Sequence, residues 1–174
     1  VSGAAMEPKA WHTLMCSQNP DGLRSFHEGQ QQGLGRSRGG FTTKIHLRVN
    51  AAGLPMRPDI SPGQTSDYLG FDLVMDDNLP EPSVLLADRG YDSDKVRETM
   101  EARNVVPVIP MCKSRKLRIA VDRTLYRLRN LIERCFNKLK NARRVATRHD
   151  KTAERFLSFT DITSIRLWLR HLST

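Results

Sequence analysis

Acids are scarce in the stretch where they would matter most. Residues 111–148 hold 13 Lys and Arg against only Asp122 and Glu133. That composition excludes an evenly mixed charged surface there. Upstream of Gly35 the acids are Glu7, Asp21 and Glu28, and none follows an apolar, strand-like run. Cysteine is also scarce. Cys16, Cys112 and Cys135 are odd in number, and their spacing matches no zinc pattern. No apolar run is long enough to cross a bilayer, and no signal-peptide pattern is present. The default expectation is a cytoplasmic protein with reduced thiols and no membrane partner.

What is present points toward a polyanion. The 174 residues suit one domain able to bury a core, and 28 Lys+Arg against 19 Asp+Glu give a net charge of +9. The excess is concentrated in residues 111–148, and the rest of the chain is close to neutral. A concentrated basic segment is a better nucleic-acid signal than a diffuse one.

Periodicity gives an order of elements. Residues 1–34 lack a sustained apolar period and read as irregular, non-native or disordered chain. The strand expected over 41–50 alternates Thr43, Ile45, Leu47 and Val49 with Lys44, His46 and Arg48. Ala51, Ala52 and Gly53 turn it into a second strand over 54–60, a hairpin. A helix over 68–77, a buried strand over 83–87, a helix over 92–103 and a strand over 104–109 come next. Residues 110–121 read as a basic connection. Asp122 caps a long helix to about residue 142. A last helix covers 153–172, with Phe156, Phe159, Ile162, Ile165, Trp168, Leu169 and Leu172 as its expected apolar side. The order is that of a mixed α/β domain, with a right-handed parallel crossover over 83–109.

The long helix is the most informative element. On a helical wheel Tyr126, Arg129, Glu133 and Lys140 fall within about 60° of one another, beside an apolar stripe of Leu125, Leu128, Ile132, Cys135, Phe136 and Leu139. One acid surrounded by cations suits a group that binds metal next to phosphate. Asp88 directly follows Val84, Leu85, Leu86 and Ala87. In α/β sheets polar residues at such strand ends face the functional crevice.

The spacing Y-x2-R-x3-E-x6-K from Tyr126 to Lys140 resembles that of bacterial insertion-sequence transposases of the DDE superfamily. Three further segments are similar to that family: ADRGYD over 87–92, GRSRGG-F-TTKIH over 35–46, and PGQ with Asp67 over 62–67. The resemblance implies an α/β, RNase H-like mixed sheet with flanking helices over 35–174. It implies Asp88 and Glu133 as catalytic metal ligands. Arg89, Lys113, Arg115, Lys116, Arg118, Tyr126, Arg129 and Lys140 become the candidate DNA-binding residues. It also implies two Mg²⁺ or Mn²⁺ ions, and as partner the DNA of element ends and target, bound by a homodimer and nucleoid-associated. Magnesium takes oxygen ligands, so Asp and Glu are the right residue types. Two ions about 3.5–4 Å apart would serve the attacking and leaving oxygens of an in-line displacement.

One departure from the pattern is plain. The family's first catalytic Asp stands on the first strand, and no acid upstream of Gly35 occupies such a setting. Asp21 lies in Asn19-Pro20-Asp21-Gly22, which is turn chemistry. The expectation is therefore a domain incomplete at its first strand, with DNA cleavage and strand transfer impaired; the alternative is an inactive remnant that only binds DNA. Blander roles stand beside these. Asp88 could merely cap the helix after it, and Glu133 could be an ordinary partner of Arg129 one turn away. His46 reads as a surface residue, while Trp168 and Cys135 read as core.

Overall fold

A computed structural model describes residues 12–18, 33–37, 40–75, 78–116 and 119–173. Its strands are β1 (His12–Gln18), β2 (Gly35–Ser37), β3 (Gly40–Val49), β4 (Pro55–Pro62), β5 (Val84–Ala87) and β6 (Val106–Val108). The main ladder runs β4-β3-β1-β5-β6, and β2 pairs with the start of β3. β1/β3 and β3/β4 are antiparallel; β1/β5 and β5/β6 are parallel.

β1 corrects the sequence reading at residues 12–18, where irregular chain and a missing first strand are expected; residues 1–11 and 19–32 lie outside the described residues. Instead β1 occupies the middle of the sheet. It pairs from Leu14–Val49 to Gln18–Ile45 on one edge and from His12–Val84 to Met15–Ala87 on the other. HTLMCSQ has little periodicity of its own. The two apolar neighbours offer hydrogen-bond partners along both edges, and such tertiary context overrides weak local preference. Asp21 lies outside the described residues.

The sheet is covered on both faces. α1 (Phe71–Val74) and α2 (Asp94–Ala102) lie on one side, where Phe71, Val74, Leu85, Tyr91, Val96 and Met100 form a core cluster. α3 (Arg123–Arg127), α4 (Asn130–Lys140), α5 (Arg143–Ala146) and α6 (Ala153–Leu172) supply the other side. There Ile45, Leu47, Leu86, Ile132, Phe136 and Phe156 meet in a second cluster. Neighbouring β5 residues serve opposite layers, as the period of a strand demands: Leu85 joins the first cluster and Leu86 the second.

Burial on both faces also revises β3. The alternation suggests a solvated side carrying His46 and Arg48, yet both are fully buried. His46 Nδ1 lies 3.0 Å from the Tyr91 hydroxyl and Nε2 lies 2.7 Å from Ser61 Oγ. Burial is the main cause that lowers its pKa to about 4, against the opposing pull of Asp67. It is therefore a neutral structural imidazole. Arg48 donates to the Pro80 carbonyl at 2.5 Å.

By sequence Arg148 belongs to the basic face, but it is only 1% exposed. Its guanidinium donates to Thr43 Oγ1 and to the carbonyls of Gly33 and Asp150, and stands over the Phe156 ring. Gly33 takes φ +64°, a conformation that favours glycine, and Thr43 Oγ1 donates to its carbonyl at 2.7 Å. Arg148 thus ties the entry of β2 and β3 to the turn before α6. Replacing it with Met should destabilise the fold by about 2–4 kcal/mol, because buried acceptors lose their donor. Urea unfolding checks this; a change within the error of the measurement would contradict the structural role.

Three helices differ from expectation, the first being that over 68–77, which is a 3-10 turn over Asp67–Gly70 followed by the four-residue α1. The single helix over 122–142 is divided at Leu128 and Arg129. Asp122 does cap its start, accepting from the Thr124 and Leu125 amides. At the joint Leu128, Arg129, Leu131 and Ile132 each donate to the carbonyl three residues back, a tightened turn that shifts the helical phase of α4 relative to α3. α6 has the expected bounds but docks by another side. Phe156, Thr160 and Ser164 are buried, while Ile162, Ile165, Leu169 and Leu172 are exposed. Thr160 and Ser164 donate to the carbonyls four residues back, at 3.0 and 2.8 Å, so burying their hydroxyls leaves no donor unpaired. Trp168 is half-buried and donates from Nε1 to the Pro55 carbonyl at 2.6 Å.

Candidate active site

The apolar run of β5 ends at Asp88, at the C-terminal edge of the sheet. Asp88 holds the N-cap position of the short helical turn Arg89–Tyr91, but its side chain accepts no capping hydrogen bond. The carboxylate instead accepts from Arg129 Nη1 at 2.5 Å. Arg129 Nη2 donates to Glu133 Oε1 at 2.6 Å. One guanidinium therefore bridges both acids. Its rigid fork limits the two bonded oxygens to roughly 7 Å apart at most. Asp88, Arg129 and Glu133 are all half-buried, open enough for a ligand yet partly shielded from water.

Electrostatics match that geometry. Burial works against the charge on Arg129, but Asp88, Tyr126 and Glu133 outweigh it and raise the guanidinium above its ordinary pKa. Arg129 stands 5.5 Å from the centre of the Tyr126 ring. Tyr126, Arg129 and Glu133 thus meet at the site together with Asp88. Lys140 shares their half-buried setting but lies about 10 Å farther along α4 at 1.5 Å per residue.

The residues around Asp88 interlock. Arg89 is exposed. Gly90 approaches Asp67 so closely that a Cβ would sit 2.0 Å from its carboxylate oxygen. Asp67 in turn accepts from Lys44 Nζ at 2.6 Å, and Tyr91 bonds His46. Asp92 is buried, with a side chain 0% exposed. It accepts from Arg97 Nε and Nη2 at 3.0 and 2.8 Å, from Arg115 Nε at 3.2 Å and from the Cys112 amide at 2.6 Å. Burial acts to raise the Asp92 pKa, yet the Cys112 amide and the two arginines overcome it and hold the pKa low. The three motif segments are therefore one scaffold that fixes the end of β5.

The basic connection divides. Lys113 and Lys116 are exposed, and Arg118 lies outside the described residues. Arg115 is committed to ion pairs with Asp92 and Asp94, the latter at 2.6 Å. Arg89, Lys113 and Arg123 line a groove of about 480 Å³ with Cys112 and Ile119. Sequence does not single out Arg123; its only signal is its place just after the Asp122 cap. A second basic cleft, of about 400 Å³, is lined by Lys138, Arg166, Arg170 and His171, at the other end of α4 from Glu133. Among the described residues no three His, Cys, Asp or Glu side chains cluster as a metal site. β1 reads HTLMCSQ and carries no acid. Met15 pairs with Ala87, so Cys16 is the β1 position level with Asp88.

A family model described as "Transposase DDE domain" matches residues 16–160, a span that includes Asp88, Arg129 and Glu133. A protein of Brucella ovis named "Putative transposase for insertion sequence element IS6501" is 35% identical over 134 residues. The match covers 75% of this chain and 100% of that protein.

Proposed function

The chain belongs to the transposase DDE domain family, and from that premise we propose that it is a transposase domain that binds insertion-sequence DNA but lacks a complete cutting site. The observation that carries this reading is the pairing of Asp88 with Glu133 through Arg129, beside a central strand that has no acid. The order β4-β3-β1-β5-β6, with its antiparallel and parallel halves, supports an RNase H-like fold for the domain.

The two acids fit a divalent cation. Both are hard oxygen donors, both are half-exposed, and a guanidinium already places positive charge between them. Asp88 and Glu133 would hold the ion, with Arg129 turning away from between them. When bound, a pair of such ions supplies activation of the attacking oxygen and stabilisation of the leaving one. Two carboxylates are short of what a pair of ions needs. Tyr126 and the freed Arg129 would then face a DNA phosphate, the group that a planar guanidinium recognises by paired hydrogen bonds.

DNA backbone contact falls to Arg89, Lys113 and Arg123 along the groove, with Lys116 in a second hollow that shares Cys112 with it. Phosphate contacts release counterions, so affinity should fall steeply with salt. Lys113→Ala with Lys116→Ala should weaken binding for all sequences alike and lower the salt slope by about 2, roughly 1 per lost contact. Arg115→Ala should instead act on stability, since its guanidinium holds Asp92 and Asp94. Fluorescence anisotropy of a labelled duplex across a salt series reads the slope. No binding even at low salt would contradict the proposed function, and an unchanged slope in the double variant would move the DNA surface elsewhere.

A further inference from the structure

The basic cleft at the far end of α4 has no part in the site at Asp88 and Glu133. It measures about 400 Å³ and lies between the end of α4, α6 and the turn after β3. The end of α4 contributes Lys138 and Asn141, and α6 contributes Arg166, Arg170 and His171, with Leu54 and Leu167 as apolar lining. Arg166 and Arg170 stand one turn apart on one face of α6. No Asp or Glu is among the described residues that line the cleft. Residues 134–149 and 162–174 contain no acid either. The C-terminal ends of α4 and α6 bring about half a negative charge each. That is less than the charge which Lys138, Arg166 and Arg170 carry together, so the cleft is set for an anion.

Given the DNA binding set out under the proposed function, we propose that the cleft is a second phosphate site. It holds the backbone of a DNA segment other than the one that reaches Asp88 and Glu133. The spacing of the cations chooses the occupant. Arg166 and Arg170 are about 6 Å apart along the helix axis, and Lys138 shares the cleft with them. A row of cations suits successive phosphates of a strand, which recur about every 3.4 Å of duplex axis, better than one small anion. Each guanidinium can take a phosphate in paired hydrogen bonds. The direction of the cleft makes the segment a separate one. At about 100° and 1.5 Å per residue, Lys138 and Asn141 lie about 80–140° round α4 from Glu133 and about 8–12 Å farther along it. Lys140 is turned by only about 20° and stays on the side of the acid pair. A duplex is too stiff to bend round a single helix. DNA at Glu133 therefore leaves the cleft open to another segment. Backbone contacts carry no base information, so the cleft should accept any sequence.

Calorimetric titration of the full chain at low salt, with a duplex of about ten base pairs, one helical turn, is the test. The unaltered protein should take up two duplexes per chain. Lys138→Ala with Arg166→Ala and Arg170→Ala should take up one, with the affinity of the remaining site unchanged. Asn141→Asp, which puts an acid in the cleft, should weaken one of the two sites by about fivefold. Lys113→Ala with Lys116→Ala should weaken the other. Lys138, Asn141, Arg166 and Arg170 are all exposed, and circular dichroism checks that each variant is folded. Adenosine monophosphate, a phosphate without a continuous backbone, should leave both duplexes bound at millimolar concentration. One duplex per chain in the unaltered protein, weakened by the changes at Lys113 and Lys116, would overturn the second site and leave the proposed function standing. No duplex bound at all would end both. A triple variant that still takes up two duplexes would also overturn the second site, as would displacement of one duplex by adenosine monophosphate.

Discussion

Asp in place of Cys16 is expected to convert a non-cutting chain into one that nicks DNA. The chain as it stands, incubated with supercoiled plasmid carrying matched element ends and Mg²⁺ or Mn²⁺, should leave the plasmid supercoiled. Cys16→Asp should give relaxed circles in a metal-dependent manner, and adding Glu133→Ala should remove that activity. Strand register gives the reason. Met15 pairs with Ala87 in the parallel ladder, so Cys16 and Asp88 stand level on adjacent strands. An acid there would complete a set of three oxygen-bearing residues with Asp88 and Glu133, which two-metal catalysis requires. A new acid on a central strand also repels Asp88, so the variant should be less stable than the parent and should regain stability with Mn²⁺. A folded, metal-binding Cys16→Asp protein that never nicks would show that another position supplies the missing ligand. Nicking by the unaltered chain, lost in Glu133→Ala, would refute its incompleteness.

The second large effect is on folding. Asp92→Ala should destabilise the domain by roughly 3–5 kcal/mol, because one partner of a buried ion pair is removed and the other is left uncompensated. Asp92 accepts from Arg97, Arg115 and the Cys112 amide, and so joins α2 to the connection after β6. Arg97 is itself buried and also donates to the Ile109 carbonyl at 2.8 Å. DNA binding should fall as well, since Lys113 and Lys116 sit on the connection that Asp92 anchors. Thermal unfolding with parallel anisotropy reads both. Asp92→Asn keeps one acceptor and should lose less stability than Asp92→Ala. A melting point unchanged in Asp92→Ala would remove Asp92 from the scaffold.

Much of the fold is legible in the residues, and the failures have physical causes. The hairpin of β3 and β4, the run into Asp88, α2 and the bounds of α6 all carry period or capping signals, such as Ser93 accepting from the Val96 amide. β1 has no such signal, because its conformation is dictated by β3 and β5 on either side. His46 and Arg48 look solvated because alternation usually means one wet face. On a strand covered by both layers, polar side chains are buried if their hydrogen bonds are met, as theirs are with Tyr91, Ser61 and Pro80. α6 misleads through abundance: apolar residues occur on two sides, and the side rich in Ser and Thr faces the core. Charge counting over residues 111–148 does not tell Lys113, which lines an open groove, from Arg115 and Arg148, which hold the fold together. The Tyr126-Arg129-Glu133 spacing marks residues that the fold brings together beside Asp88. The Arg129 bridge from residue 133 to residue 88 is nonetheless a long-range contact that no local pattern contains.

The most direct measurement is Mn²⁺ binding followed by electron paramagnetic resonance on the chain and three variants, Asp88→Asn, Glu133→Gln and Arg129→Gln. The unaltered chain should bind weakly, and both acid variants should lose that binding. Arg129→Gln should bind more tightly, because the cation that bridges the two acids is gone. Mn²⁺ binding that is the same in Asp88→Asn and Glu133→Gln as in the parent would contradict the assignment of these two carboxylates as the metal-holding pair.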